Sequence, residues 1–274
     1  MLPPGDIRNC LVALAECEPL LAQIFQHRFT GSGELSGHNF GNLFLAALAG
    51  ITGDFAQAVH ACSQVLAIRG KILPATLHDM RLEARCEDGT IIAGETNITR
   101  SPSRKESVCV IPAQCEPLPE TLQAIRRADI ITLGPGSLLT SVLPNLLVRK
   151  ATHEIRKSRA VKIYIANIMT QPGETDGFTA SDHIKMIYEH VGEGLFDAII
   201  INNRGIGSKT RARYRAQGAA PIVGDRTELE KLGLKVYARA LASEEEVVRH
   251  DADKLTRVIG EVYRDLRLGT GLAR

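Results

Sequence analysis

The chain has 274 residues, of which 44% are hydrophobic and 23% charged, and this balance excludes disordered and collagen-like classes. Its 33 basic and 31 acidic residues leave a net charge of +2, which is too even for a general nucleic-acid binder. No apolar run approaches the roughly 20 residues of a membrane span, and Asp6 and Arg8 interrupt any signal peptide. Six cysteines without a Cys-x-x-Cys pair predict reduced thiols in a cytoplasmic protein.

The first part of the chain, residues 1–70, is predicted to be helical. Apolar residues recur at helical spacing in residues 7–15 and again in residues 43–50. Gly53-Asp54 precedes a third apolar stripe at 55–66, and aspartate is a common N-cap. No strand precedes these helices, which is an unusual start for an α/β domain.

A small antiparallel β insert is predicted at about 71–115. Residues 78–87 alternate apolar and polar side chains, and Asp88-Gly89 is a hairpin signal. A return strand at 91–93 and a further strand at 107–111 complete a meander of about three strands.

Strand–helix alternation begins at about residue 116 and continues to residue 274. Strands are predicted at 129–133, 162–166, 198–201, 221–223 and 235–238, and helices near 118–127, 137–149, 180–191, 208–217, 226–232 and 251–266. Continuously apolar strands suit a parallel sheet covered on both faces. The prediction is a single α/β domain over 1–274, with a Rossmann-like, doubly wound, mainly parallel sheet, a helical N-terminal part and the small antiparallel insert.

The sharpest local signal is a glycine-rich turn after the strand at 129–133. Gly134-Pro135-Gly136-Ser137 leads into a helix, and Ser137, Thr140 and Ser141 add hydroxyl donors. Glycines let the backbone approach a ligand, and free N–H groups at a helix N-terminus attract an anion. The segment suggests a phosphate cradle; the alternative is an ordinary βα turn in which Ser137 caps its helix. It matches neither Gly-x-Gly-x-x-Gly nor the P-loop pattern.

Polar residues also follow the next strand, at 162–166. Asn167, Thr170, Gln171, Gly173 and Glu174 lie at its carboxyl end, where open α/β sheets bind ligands. Neutral donors and acceptors suit a base or a sugar, whereas their ordinary role is to form turns and cap helices.

The next helix opens with Asp182 and His183, which are candidates for an acid–base pair. Neighbouring residues on a helix do not face each other, which disfavours direct catalysis by the pair. The catalytic residues stay unknown.

Asn203 and Arg204 follow the strand at 198–201 and are placed to meet a phosphate. The cations at 209–215 do not share one helix face, so a solvated helix is favoured over a nucleic-acid stripe.

A fourth polar string, at 37–42, places His38, Asn39 and Asn42 at a helix entrance. It suggests a polar lining, and the alternative is a helix N-terminus with His38 on the surface. No cluster has metal-ligand spacing, so we predict no metal site. The Gly-x-Ser-x-Gly elbow of serine hydrolases is absent from the sequence, which disfavours that class of enzyme.

Taken together, several strings resemble the CofD/YvcK family. They are residues 2–9 (LPPGDIRN), 37–42 (GHNFGN), 134–137 (GPGS), 141–147 (SVLPNLL) and 167–175 (NIMTQPGET). The resemblance extends along nearly the whole chain, and its segments are long and unusual. It is closer to the YvcK branch, the gluconeogenesis factors, than to the 2-phospho-lactate transferases.

The resemblance implies a Rossmann-like nucleotide-binding protein. CofD members transfer a phospholactate group from a GDP conjugate to a deazaflavin alcohol with magnesium. YvcK members bind UDP-sugars such as UDP-N-acetylglucosamine and are associated with carbon metabolism, cell-wall precursor supply and cell shape. By resemblance, residues 134–137, 167–174 and 203–204 line a nucleotide-sugar cleft, which 38–42 approach from the helical side. A homo-oligomer and regulatory protein partners are also implied.

This sequence departs from the family pattern at its start. The family begins with a strand, a Gly-Gly-Gly-Thr-Gly type loop and an Asp-Asp-Gly-Gly type segment, which supply a phosphate loop and carboxylates for magnesium. The sequence starts downstream of these, so we expect a truncated or misassigned start, exposed sheet edges and no magnesium unless the transferase interpretation holds.

Three hypotheses follow from these features. The favoured one is a cytoplasmic regulator that binds a UDP-sugar. The second is a CofD-type transferase. The third is an interaction domain that has lost its ligand site.

Overall fold

The computed structural model describes residues 5–16 and 19–268, so residues 2–4 of the N-terminal string and Cys17 lie outside the described residues. The described chain divides into two compact units. Unit 1 holds the residues up to Asp79 together with Glu116–Thr121, and unit 2 holds Met80–Cys115 and the residues from Leu122 onward. Within the described ranges, none of the helices has the length and apolarity that crossing a membrane requires.

Unit 1 is built from four helices: α1 (Gly5–Leu14), α2 (Pro19–Gln26), α3 (Phe40–Thr52) and α4 (Phe55–Val65). The sequence predicted α1, α3 and α4 but not the eight-residue α2. Helix α3 lies tight against the end of α2, because a Cβ added at Gly41 would come within 2.6 Å of the carbonyl oxygen of Phe25. The core consists of Leu11, Phe25, Leu45, Val59, Cys62 and Leu66.

Unit 2 contains the predicted antiparallel insert. Strands β1 (Arg81–Cys86), β2 (Ile91–Ala93) and β3 (Lys105–Ile111) pair in the order β2-β1-β3. Alternation in β1 buries Leu82, Ala84 and Cys86, as the sequence predicted. A short helix, α5 (Glu95–Arg100), connects β2 to β3 and escaped prediction because six residues are too few for a periodic signal.

The main sheet of unit 2 is parallel. Strands β4 (Ile130–Leu133), β5 (Val161–Ile165), β6 (Ala198–Asn202) and β7 (Lys235–Arg239) pair in chain order, β4-β5-β6-β7. Together with the small antiparallel sheet and the helical part, this confirms the predicted Rossmann-like α/β fold class.

Helices cover both faces of this sheet. They are α6 (Pro119–Arg127), α7 (Leu143–Leu146), α8 (Arg149–Lys157), α9 (Ala180–Val191), α10 (Ser208–Ala216), α11 (Arg226–Lys231) and α12 (Ala252–Leu268). On one face, Ile163 of β5 belongs to a cluster with Val258 and Val262 of α12. On the other, Tyr164 of β5 belongs to a cluster with Ile184 of α9. Burial of alternate strand residues on opposite faces explains the continuously apolar strands.

Two predicted elements of unit 2 were wrong. The predicted strand at 221–223 is an extended segment with a single bridge between Met169 and Pro221, and it lies outside the sheet. Proline lacks the N–H that a ladder needs, which disfavours a strand there.

The predicted helix at 137–149 is instead a π-helical turn, π1 (Leu138–Val142), followed by α7, with α8 starting separately. Pro144 lies in the first turn of α7, a position that tolerates proline, whereas the interior of one long helix would not. The hairpin of β8 (Ala242–Glu244) and β9 (Val248–His250), like α8, was not predicted.

Candidate functional site

Three loops of unit 2 follow the carboxyl ends of neighbouring parallel strands. Loop A (134–137) follows β4, loop B (167–175) follows β5, and loop C (203–207) follows β6. Ligands of open α/β sheets bind outside this edge, so these loops form the candidate site. Most of the predicted site residues lie in these loops or in π1.

Loop A leaves its strand at a glycine that no other residue replaces without strain. Gly134 has a φ of 79°, and a Cβ added there would lie 2.5 Å from the carbonyl oxygen of Ile165 on β5. L-residues rarely adopt this φ, and real Cβ atoms do not approach a carbonyl so closely. The chain therefore turns directly over the end of the neighbouring strand.

Loop A is joined to loop B by an amide clamp. The Asn167 side chain accepts a hydrogen bond from the Gly136 N–H at 3.1 Å and donates one to the Gly136 carbonyl at 2.9 Å. The Ser137 hydroxyl donates to Oε1 of Gln171 at 2.7 Å. Sequence reasoning placed these residues in one site, and the structure shows direct contacts between the two loops.

Loop B contains a buried carboxylate, Glu174, that contacts both π1 and α5. Glu174 is 4% exposed, and its Oε2 accepts the Leu139 N–H of π1 at 3.1 Å. Its Oε1 accepts hydrogen bonds from the hydroxyls of Thr140 and Thr99 and from Nε2 of Gln171, at 2.9–3.0 Å. Four donors on one carboxylate satisfy most of its hydrogen-bonding capacity. Glu174 therefore holds the π1 turn against loop B.

Loop B is also held by the extended segment 219–223. The N–H of Thr170 donates to the Ala220 carbonyl at 2.7 Å, and the Thr170 hydroxyl accepts from the Ala220 N–H at 2.9 Å. Thr170 is buried, so its hydroxyl serves this pairing.

Gly173 closes the turn of loop B with a φ of 80°, against the end of α5.

Loop C depends on Asn202, which lies beside the predicted site residues Asn203 and Arg204 but was not among them. Oδ1 of Asn202 accepts the N–H groups of Arg204, Leu241 and Ala242 at 3.0–3.2 Å. The amide thereby joins the end of β6 to the start of the β8–β9 hairpin. The signal was available, because an asparagine at a strand end commonly organises the following turn.

Asn203 and Arg204 are exposed, as their predicted role requires. The Arg204 guanidinium donates to the Ala242 carbonyl at 3.0 Å from Nη1. This bond orients the side chain while leaving most of its donors available.

Asp182 and His183 do not form an acid–base pair. Asp182 accepts hydrogen bonds from the N–H and the hydroxyl of Thr179 in a capping box. Burial raises the pKa of the Asp182 carboxyl, but these hydrogen bonds and Lys185 outweigh burial and lower it. The His183 ring is fully buried, with Nδ1 2.9 Å from the Tyr164 hydroxyl. Burial lowers the pKa of His183 to about 4, so the ring is neutral near pH 7.

The polar string of unit 1 has a structural role in its own unit. Asn39 is the N-cap of α3, where it accepts the Asn42 N–H at 3.2 Å and donates to the Gln26 carbonyl at 2.9 Å. The Asn42 side chain accepts from Arg8 at 3.3 Å, and His38 is exposed. A role of these three residues in ligand binding stays a prediction.

Two backbone N–H donors at the start of π1 have no hydrogen-bond partner in the described part of the chain. Within the described residues, the N–H groups of Ser137 and Leu138 make no hydrogen bond, and Ser137 has no capping side chain. Ser141 of the same turn is partly exposed. Ser137 is partly exposed, whereas Leu138 is buried.

A divalent cation finds no matching ligand set here. The described residues contain no group of three or more histidine, cysteine, aspartate or glutamate side chains arranged to hold a metal. Glu174, the carboxylate nearest loop A in this network, is occupied by its four donors. Because Mg²⁺ is commonly held by only one or two carboxylates together with substrate phosphates, these observations assign it no residue and no chemical step.

Comparison with known proteins relates the whole fold to one family. The family model described as 2-phospho-L-lactate transferase CofD matches residues 1–242. The gluconeogenesis factor of Halalkalibacterium halodurans is 47% identical over 260 residues, which cover 94% of this chain and 81% of that protein. The gluconeogenesis factor of Bacillus subtilis is 45% identical over 264 residues, which cover 96% and 83%.

A solved structure shares the fold. The crystal structure of a member of the UPF0052 family from Bacillus halodurans superposes with a TM-score of 0.91 at 48% identity, covering 94% of this chain and 83% of that one.

Proposed function

The chain belongs to the CofD family and is similar to proteins named gluconeogenesis factors, and from this premise we propose that it binds a nucleoside diphosphate sugar at loops A, B and C. The favoured ligand is a UDP-sugar such as UDP-N-acetylglucosamine. The protein acts in the cytoplasm as a regulator of carbon metabolism, cell-wall precursor supply and cell shape. A homo-oligomer and protein partners belong to the same proposal.

The observation that carries the proposal is a rigid set of loops that still offers unused donors. Asn167 and Gln171 lock loop A to loop B, so the position of Ser137 is set before a ligand arrives. The N–H of the partly exposed Ser137 suits a phosphate, and Asn203 and Arg204 offer further donors at the end of β6. Preorganised donors lower the entropic cost of binding.

The residues divide by role within this proposal. Ser137, Gln171, Asn203 and Arg204 are partly or fully exposed and contact the ligand, with backbone donors from loop A. Thr140, Thr170 and Glu174 are buried and hold the loops that carry those contacts.

The second candidate is the transferase reaction of the family, because the matching family model is named for it. It would use a GDP-linked phospholactate donor and a deazaflavin acceptor. Binding is favoured over this reaction because the similar proteins at 45–47% identity are named gluconeogenesis factors.

A thermal-shift panel separates these candidates. The purified chain is heated with UDP-N-acetylglucosamine, UDP-glucose, GDP or buffer. Ligand at about 100 times its Kd adds about 2.7 kcal/mol of stability, which raises the Tm by roughly 5–10 °C. A selective shift with UDP-sugars is expected. A shift with GDP alone would favour the transferase, and no shift from a folded chain would favour a domain without a ligand site.

The matched variants are Arg204→Ala and Arg215→Ala. Arg204 follows β6 at the candidate site, whereas Arg215 is an exposed arginine of α10. Loss of a charge-assisted hydrogen bond to phosphate weakens binding by about 1–3 kcal/mol in Arg204→Ala, and Arg215→Ala binds like the wild type. Unchanged affinity of Arg204→Ala in calorimetry would remove Arg204 from the site.

A further inference from the structure

We propose that the β insert completes the candidate site, with Thr99 acting as a positioning residue through the buried carboxylate of Glu174 and Lys105 through the Ser101 carbonyl. The inference rests on the proposed function, because it concerns the same site. It concerns residues that no motif of the sequence singled out, and it assigns the insert a role in ligand binding.

The first contact is a hydrogen bond between two distant parts of unit 2. Thr99 lies in α5 of the insert, and its hydroxyl donates to Oε1 of Glu174 at 3.0 Å. Glu174 in turn accepts the Leu139 N–H of π1. The insert is therefore one hydrogen-bonded residue away from the turn that carries the free donors of loop A.

The second contact is steric. A Cβ at Gly173 would lie 2.7 Å from the Thr99 carbonyl oxygen and 3.0 Å from that of Ser101. The backbone of loop B thus rests directly on the end of α5. A shift of α5 would move loop B with it.

The third contact holds the end of α5 in place. Lys105 is 4% exposed, and its Nζ donates to the Ser101 carbonyl at 2.5 Å. Burial lowers the pKa of the Lys105 ammonium, while Cys86, Glu174 and Asp176 oppose that shift. The hydrogen bond from Nζ fixes the Ser101 carbonyl, against which Gly173 of loop B packs, so Lys105 supports loop B through the end of α5.

Residues that share a polar network act as a unit, so loss of one donor is felt by the others. Without the Thr99 hydroxyl, Glu174 keeps three donors and gains freedom to rotate away from Leu139. The π1 entrance then loses its fixed position, and a ligand must order it on binding.

The test compares three threonine variants. Thr99→Val removes the hydroxyl at nearly constant shape, Thr99→Ser keeps it, and Thr96→Val changes an exposed threonine of the same helix. The ligand-free readout is the hydrogen exchange rate of the Leu139 amide, measured by NMR. The second readout is the Kd for UDP-N-acetylglucosamine by calorimetry.

In Thr99→Val, exchange at Leu139 becomes faster and binding weaker, each by about five- to tenfold. Thr99→Ser and Thr96→Val stay within about twofold of the wild type. Lys105→Met weakens binding in the same direction, because it releases the Ser101 carbonyl against which Gly173 of loop B packs. If Thr99→Val fails to fold, Thr99→Ala replaces it, with the same expectation.

Unchanged exchange at Leu139 in a folded Thr99→Val protein would overturn the inference, as would an equal effect of Thr96→Val. If the wild type fails to bind the UDP-sugar, the proposed function fails, and the exchange rates still decide whether Thr99 positions Glu174. The two failures are therefore distinguishable.

Discussion

Several polar residues at the candidate site use their hydrogen bonds to hold the loops together rather than to bind a ligand. Asn167 uses both ends of its amide on the backbone of Gly136, and Glu174 accepts four donors. Residue type and position predicted that these side chains would gather at one edge. They could not predict which would be consumed by the protein itself, because that depends on distances across strands.

The strongest single-residue constraint is at Gly134. Gly134→Ala would bring a Cβ within 2.5 Å of the Ile165 carbonyl at a φ that L-residues rarely adopt. We expect a loss of about 1–3 kcal/mol in unfolding free energy, with weaker ligand binding because loop A must shift. Urea unfolding and calorimetry measure the two effects.

Gly205→Ala is the matched control, since a Cβ at Gly205 in loop C meets nothing within 4 Å. It stays within about 0.5 kcal/mol of the wild type. Equal stability of Gly134→Ala would show that β5 does not constrain loop A.

At the scale of elements, β5 and α9 meet through a buried histidine. His183 on α9 contacts Tyr164 on β5 through Nδ1, and its Nε2 has no partner among the described residues. The Phe178 ring packs against it, and neighbouring Asp182 is the charged group that partly offsets burial. A proton added to this ring would place a charge in the core.

This geometry predicts acid sensitivity. The pKa of His183 is about 4 in the folded chain and 6.5 without burial, so the unfolded state binds the proton first as pH falls. Stability is unaffected above about pH 7.5 and declines between about pH 6.5 and 4. At pH 5 the loss from this residue is about 2 kcal/mol relative to pH 7.5.

The measurement is urea unfolding of the wild type, His183→Gln and His153→Gln at pH 7.5 and pH 5. His153 is an exposed histidine of α8 and serves as the control. We expect a smaller pH-dependent loss in His183→Gln than in the other two proteins. Identical losses in all three would show that His183 does not titrate as a buried group.

The elements themselves were largely readable from sequence. The four parallel strands follow from continuous apolar runs, and the insert follows from alternation around Asp88-Gly89. A strand at 221–223 is a wrong prediction, because the Ile222 N–H donates to the Ile168 carbonyl of loop B and the Val223 carbonyl accepts the Ala180 N–H of α9. Such pairing is a tertiary choice that local pattern does not encode.

At the scale of the whole chain, family membership and fold agree. The CofD family model and the close structural superposition both cover most of the chain, and the described strands place loops A, B and C at one sheet edge. Domain number stays a prediction of one domain beside the two compact units described above. The chemistry proposed for loops A, B and C uses residues of unit 2.

The central claim is that the free donors at the entrance of π1 receive the diphosphate of a nucleotide sugar. The most direct measurement is an NMR titration of the isotopically labelled chain with UDP-N-acetylglucosamine, following backbone amides. The account predicts the largest, saturable shifts at Ser137 and Leu138, with smaller shifts in loops B and C. Saturable shifts confined to residues outside these loops would contradict it.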